Sequence, residues 1–79
     1  MSKYDPLKVY LEQHPSRIIK LTFPEIEAII GVPLPVAAHD RNWWRNVARN
    51  AHVRAWLNAG RQVDSVDLTA RTVTFSSTL

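Results

Sequence analysis

The chain has 79 residues and no cysteine, and its ten Lys or Arg against seven Asp or Glu give a formal net charge of +3. A chain of this length has room for one domain, 1–79, with a thin hydrophobic core. The lack of cysteine excludes disulfides and thiolate metal sites as a source of stability. No apolar run resembles a signal peptide or a membrane span, so we expect a cytoplasmic protein with no membrane partner.

The first predicted helix begins at Asp5 and ends before Pro15. Asp5 is a suitable N-cap residue and Pro6 is well placed in the first helical position. Proline disfavours the helical conformation in the residue before it, which ends the helix at His14. Three apolar residues recur at helical spacing and form one stripe: Leu7, Tyr10 and Leu11.

A strand and a second helix are predicted next. Residues 17–21 are short and rich in β-branched side chains, which is typical of a strand. Thr22 and Glu25 have the spacing of a capping box, in which each side chain bonds the other residue's backbone N–H. Gly31 suits the left-handed position that ends a helix, and Pro35 is a possible start for a third helix. The buried face of the second helix is predicted to be Phe23, Ile26, Ile29 and Ile30.

Residues 41–61, called here the basic segment, hold five arginines and no acid, whereas the rest of the chain has a charge of −2. The five are Arg41, Arg45, Arg49, Arg54 and Arg61. A helix over 41–51, capped by Asp40, would place the first three arginines on one face. Its other face would carry Trp43, Trp44, Val47 and Ala51.

After Ala51 the pattern changes, because Val53, Trp56 and Leu57 would lie on the basic face of a continuing helix. We therefore predict a break near 50–52 and a separate helix over 52–59, capped by Gly60. Alternation in 62–68 and 72–76 then predicts a β-hairpin with one apolar face. That face would set Val66 and Leu68 opposite Val73 and Phe75.

The resulting order predicts an α+β fold of the winged-helix type. It has three to four short helices and a small antiparallel sheet that ends in a β-hairpin, with the first strand paired to the hairpin. The same order occurs in protein-interaction modules, so the fold does not decide the function. The predicted core is Leu7, Leu11, Ile19, Ile26, Ile30, Trp56, Leu57, Val66 and Phe75.

Concentrated positive charge predicts a surface that binds phosphates, and we expect nucleic acid, in particular duplex DNA, as the partner. Asparagine can read adenine edges, and a hairpin tip can touch the DNA backbone, although each asparagine can equally form local hydrogen bonds. The candidate contacts are Arg41, Arg45, Asn46, Arg49, Asn50, His52, Arg54 and Arg71.

The alternative is a regulatory module that docks on another protein through Trp43 or Trp44. Adjacent helical residues point about 100° apart, so we expect one indole to pack and the other to be partly exposed. The alternative is that both indoles are buried, because the chain has few other large apolar groups. An exposed indole is a typical hot spot of a protein interface. Self-association into a homodimer remains an option for so small a domain.

We expect no catalytic site, cofactor or metal. The three histidines, His14, His39 and His52, lack the spacing of metal ligands, and no nucleophile has a base beside it. Neither a glycine-rich phosphate loop nor a paired-carboxylate motif is present. The sequence therefore predicts a binding protein and not an enzyme.

Several stretches together resemble an uncharacterised small domain family of bacteria and their phages. They are Tyr4-Asp5-Pro6-Leu7; Leu21-Thr22-Phe23-Pro24-Glu25-Ile26-Glu27 running to Ile30-Gly31; Pro33-Leu34-Pro35; Trp43-Trp44-Arg45-Asn46; Ala55-Trp56-Leu57-Asn58-Ala59-Gly60; and Val63-Asp64-Ser65-Val66-Asp67-Leu68 leading to Val73-Thr74-Phe75. The resemblance covers nearly the whole chain, and the set in this order is more specific than any one motif. It implies a bacterial or phage origin and a compact domain, and it carries no established activity.

Overall fold

The computed structural model describes residues 2–78, which form an α+β fold with an antiparallel sheet. In chain order the elements are α1 (Asp5–Gln13), β1 (Ile18–Thr22), α2 (Phe23–Ile30), a first 3₁₀ helix (Val36–His39), a second 3₁₀ helix (Arg41–Trp44), α3 (Ala51–Leu57), β2 (Arg61–Asp67) and β3 (Thr72–Ser77). No helix within this described range is both long enough and apolar enough to cross a membrane.

The first turn of α1 is capped by a backbone carbonyl, whereas that of α2 is capped by side chains. The predicted N-cap of α1 is wrong by one residue, because Tyr4 is the cap and its carbonyl accepts from the N–H groups of Leu7 and Lys8. The predicted capping box of α2 is confirmed. The Thr22 hydroxyl accepts from the Glu25 N–H at 3.1 Å, and the Glu25 carboxylate accepts from the Thr22 N–H at 2.8 Å.

The sheet has the strand order β1-β3-β2, so the first strand pairs with the hairpin, as predicted, and β3 lies in the centre. Val66 lies opposite Val73, but Phe75 pairs with Val63 and not with a residue near Leu68. A bulge between Val63 and Ser65 brings Phe75 opposite Val63. The predicted place of Leu68 in the paired apolar face is wrong for a separate reason. Leu68 lies beyond the end of β2, in the turn.

One apolar core joins the inner face of the sheet to the helices, and α1 packs against both α2 and α3. Eight of the nine predicted core residues are buried, while Leu57 is only partly buried against them. The largest side chains that are almost fully buried are Trp44, Trp56 and Phe75. The core prediction is therefore confirmed, with Leu57 at its margin.

The predicted helix over 41–51 is wrong. The second 3₁₀ helix is capped by Asp40, whose carboxylate accepts from the Asn42 N–H at 2.8 Å, but Arg45 is already extended, with φ −68° and ψ 145°. The chain is non-helical over 45–50, so the break comes earlier than the predicted 50–52, and the separate helix predicted over 52–59 is α3, Ala51–Leu57. Consequently the arginines of 41–49 do not form a helical stripe.

The two glycines have left-handed φ angles, 77° at Gly31 and 75° at Gly60. Gly31 ends α2 as predicted, with its N–H donating to the carbonyl of Glu27. The C-cap of α3 is Asn58, so Gly60 serves the turn into β2 and not the helix end itself. At Pro35 the predicted third helix is a single 3₁₀ turn.

Candidate nucleic-acid interface

Asn46 joins the basic segment to the outer edge of β2, the edge that does not pair with β3. Its side-chain oxygen accepts from the Val63 N–H at 2.9 Å, and its side-chain amide donates to the Val63 carbonyl at 3.1 Å. The same oxygen accepts from the indole N–H of Trp56 at 2.9 Å. Asn46 therefore uses its side chain in hydrogen bonds within the protein, but to residues 10 and 17 positions away and not in the local bonds that the sequence offered as the alternative to base reading.

Residues 45–50, called here the basic loop, are held at a second point by Arg54. One nitrogen of its guanidinium, Nη1, donates to the carbonyls of Ala48 and Arg49 at 3.2 and 2.9 Å. Arg54 is exposed on α3, so its remaining nitrogens stay accessible. The loop is thus fastened at Asn46 by the sheet and at 48–49 by the helix.

Arg45 and Arg49 are the two arginines of this loop, and both side chains are exposed. Neither guanidinium has a hydrogen-bond partner or ion pair within residues 2–78. The ion pair found in this range joins Lys8 and Glu12 at 3.5 Å, on α1. The loop therefore displays two cationic groups on a backbone that is itself well anchored.

The other two arginines of the basic segment bind backbone carbonyls. Arg41 reaches the carbonyl of Val66 at 3.4 Å. Arg61 is buried, with 7% of its surface exposed, and donates to the carbonyls of His14, Ser16 and Arg17 at 2.7–3.1 Å. Arg61 thus fastens β2 to the α1–β1 connection. The sequence gave no sign of this role, because nothing in it distinguishes Arg61 from the exposed arginines.

The two adjacent indoles divide as predicted, one packed and one partly exposed. Trp44 is buried, and its N–H donates to the carbonyl of Ala38 at 2.8 Å. Trp43 is partly buried, stacked on the His52 ring at 3.8 Å between centroids and edge-on to Tyr4. His52 thus covers one broad face of the Trp43 indole, which reduces the surface that the indole offers to a partner.

His52 is held inside this aromatic cluster and does not face outward. Its Nε2 lies 2.7 Å from the Trp43 carbonyl, which fixes the proton on that nitrogen as a donor. Burial lowers the pKa of His52, and the hydrogen bond to Trp43 opposes that shift only in part. The ring is therefore uncharged at neutral pH, which weakens it as a phosphate contact.

Asn50 and Arg71 complete the set predicted from the sequence. Asn50 precedes α3 without capping it through its side chain, and it is half-buried. Arg71 lies in the turn of the β2–β3 hairpin with φ 57°, and its side chain is exposed. The turn carbonyl of Arg71 accepts from the Phe23 N–H at 2.9 Å, which anchors the hairpin tip beside α2.

No group of three or more His, Asp or Glu side chains within residues 2–78 is arranged to hold a metal ion. His39 lies edge-on to Phe23, with 6.0 Å between the ring centroids, away from the contacts of His52. What this part of the chain brings together is a pair of unpaired arginines on an anchored loop.

Residues 4–78 match the family model of a domain of unknown function, DUF7662. Searches of curated proteins and of solved structures each returned no match. The matched range includes every helix and strand described above. The chain therefore belongs to the DUF7662 family of uncharacterised domains.

Proposed function

We propose that this protein binds nucleic acid, in particular duplex DNA, through phosphate contacts from the basic loop. The observation that carries the proposal is the absence of any carboxylate paired with an arginine of the basic segment, throughout residues 2–78. Surface arginines commonly pair with nearby acids, which offset their charge. Arg45 and Arg49, which are exposed and have no such partner within the described residues, favour a polyanion from outside the chain.

The anchoring of the loop supports this proposal. Ordering a flexible loop on binding costs free energy, and a loop already fixed in place avoids most of that cost. Here Asn46 fixes the backbone next to Arg45, and Arg54 fixes it at the carbonyls of Ala48 and Arg49. The two guanidinium groups can each engage a phosphate bidentately with little change in the loop.

The proposed docking geometry is that of a winged helix. The order of the elements and the strand order β1-β3-β2 are compatible with that architecture. In it, the β2–β3 hairpin forms the wing, and Arg71 at its turn contacts the DNA backbone. With Arg45, Arg49 and Arg71 as contacts, we expect the slope of log affinity against log salt to be about −3.

The proposal favours binding that is independent of DNA sequence. One of the two candidate base readers, Asn46, uses its polar atoms in hydrogen bonds within the protein. Phosphate contacts position a protein on DNA but carry no base information. Asn50 is the remaining candidate for a base contact.

The experiment is a titration of a fluorescent random-sequence duplex at several salt concentrations. Replacing Arg45 and Arg49 together by Ala should flatten the salt slope by about two units. The matched control replaces Arg17 and Lys20 by Ala, which removes the same charge from β1, on the far side of the sheet. Equal losses in both double variants would show that net charge alone drives binding. No binding of the parent protein at low salt would reject the proposal.

A further inference from the structure

The two outer edges of the sheet differ in how they are covered. The outward N–H and carbonyl of Val63 on β2 are bonded by Asn46, and the outward carbonyl of Val66 is bonded by Arg41. Unpaired edge groups are a template for another strand, and proteins commonly block them. The edge of β2 is therefore closed by two side chains of the basic segment.

The edge of β1 is open. The Ser77 N–H donates to the Arg17 carbonyl and the Phe23 N–H to the Arg71 carbonyl, so odd-numbered residues of β1 bond β3. The backbone groups of Ile18 and Lys20 consequently point away from the sheet. No hydrogen bond from within residues 2–78 covers them, whereas the last outward N–H, at Thr22, is taken by Glu25.

The side chains on this edge define what it can bind. Ile18 is 57% exposed, and Lys20 and Arg17 are exposed without an ion pair in the described chain. No acid occurs between Glu12 and Glu25, and Glu12 is paired with Lys8. The open stretch is thus apolar at Ile18 and positively charged at Arg17 and Lys20, and the Glu25 carboxylate on the Thr22 N–H marks its negatively charged end.

A second copy of the chain would bring an edge of the same charge against this one, since residues 13–24 hold Arg17 and Lys20 and no acid. Antiparallel pairing of two β1 strands about their middle would set each Lys20 opposite the other, and like charges directly opposite destabilise a strand pair. An acidic segment has the complementary charge. We therefore propose that the outer edge of β1 binds an extended acidic peptide segment of another protein by strand addition.

The pairing specifies a probe peptide. In antiparallel register, Glu lies opposite Lys20, Val opposite Ile18 and Glu opposite Arg17. The sequence Thr-Val-Glu-Val-Val-Glu, acetylated and amidated, meets these conditions, and its second and fourth residues extend the apolar side of the sheet beside Leu21 and Ile19. Strand addition requires its third residue to donate its N–H to β1, whereas the N–H of the fourth points away.

The test measures amide hydrogen exchange of the full chain by NMR, with and without peptide. At about 5 mM peptide and a dissociation constant of about 1 mM, exchange at Ile18 and Lys20 should slow about sixfold. A peptide N-methylated at its third residue should have no effect, and one N-methylated at its fourth should act like the parent peptide. Because these controls leave the protein unchanged, misfolding cannot account for the difference.

Variants separate this surface from the basic loop. Lys20→Ala should weaken peptide binding severalfold, and the double replacement of Arg45 and Arg49 should leave it unchanged. Protection that rises with protein concentration in the absence of peptide would show self-pairing and overturn the proposal. So would equal action of the two N-methylated peptides, or protection of Ile18 and Lys20 by duplex DNA in place of the peptide. Each of these results is independent of whether the basic loop binds DNA.

Discussion

Asn46 bonds both backbone groups of Val63, at 2.9 and 3.1 Å, so one side-chain amide occupies the place of a neighbouring strand's peptide group. Its oxygen also accepts from Trp56, which is 1% exposed. The residue thereby joins the sheet edge, the core and the basic loop. It also explains why the chain leaves the 3₁₀ helix at Arg45: a continuing helix would carry Asn46 away from β2.

Replacing Asn46 by Ala should lower the free energy of unfolding by about 1–3 kcal/mol, because the buried indole N–H of Trp56 loses its acceptor. Urea denaturation measures the effect. Asn42→Ala is the matched control, since Asn42 is exposed and makes its hydrogen bond through its backbone. Equal stability of the two variants would contradict the role assigned to Asn46.

Much of the fold could be predicted from local sequence signals. The capping box at Thr22 and Glu25 depends on residues three apart, and the hairpin depends on alternation within a few residues. The prediction of a helix over 41–51 was wrong. The arginines recur every four residues, which is helical spacing, but the hydrogen bonds of Asn46 to Val63 hold this part of the chain in a non-helical conformation. Asn46 reaches Val63, 17 residues away, and no local pattern contains that contact.

The candidate site was predictable in composition but not in geometry. The sequence showed an acid-free basic segment, and it gave all five arginines the same weight. The structure separates Arg61, which bonds carbonyls 44–47 residues away, from Arg45 and Arg49, which bond none within residues 2–78. Such a division depends on long-range packing and is invisible to charge counting.

Arg61→Met should destabilise the fold by about 2–4 kcal/mol, because three carbonyls of the α1–β1 connection lose a charged donor. Arg45→Met is the control, with the same change of charge at an exposed site that lacks a hydrogen bond within the described chain. We expect that control to change stability by less than about 0.5 kcal/mol. Urea denaturation of both variants decides the matter, and a stable Arg61→Met protein would refute the structural role.

Stability should fall as pH decreases below about 6.5, because the folded state lowers the pKa of His52 from its ordinary value of 6.5. Protonation then favours the unfolded chain, whose histidine retains the ordinary pKa. The contribution is fully present above 6.5 and is lost as pH falls through the lowered folded value. His52→Gln removes the titrating group, so thermal unfolding between pH 5 and 8 should be less pH-dependent. Parallel curves for the two proteins would contradict this assignment. Glu25 does not interfere with this measurement. Its hydrogen bonds with Thr22 lower its pKa from the ordinary value of 4.5, so its effect on stability begins below the pH range of 5 to 8.

Replacing Ile26 by Ala should cost about 2–5 kcal/mol, enough to unfold a marginal domain of this size. Ile26 is 1% exposed, whereas Ile18 is 57% exposed and provides the same substitution at the surface. Ile18→Ala should retain a cooperative unfolding transition close to that of the parent. Cooperative unfolding of Ile26→Ala at parental stability would show that the core assignment is wrong.

The last prediction separates DNA binding from protein docking in the same region. Replacing Arg45 and Arg49 by Ala should reduce affinity for duplex DNA on the order of tenfold per arginine at 0.1 M salt. Trp43→Leu should change that affinity by less than about twofold, because bases within a duplex are already stacked and offer an indole no free face. On a protein-docking surface the order reverses, with the indole as hot spot and the arginines altering mainly the association rate.

Circular dichroism must first show that both variants fold, since Trp43 contacts His52 and Tyr4. We expect Trp43→Leu to fold, because leucine retains an apolar group at a position that is only partly buried. A folded Trp43→Leu protein that loses DNA binding altogether would count against the phosphate contacts of the basic loop. The same variant with parental affinity, beside a double arginine variant with little, would favour the loop over the indole.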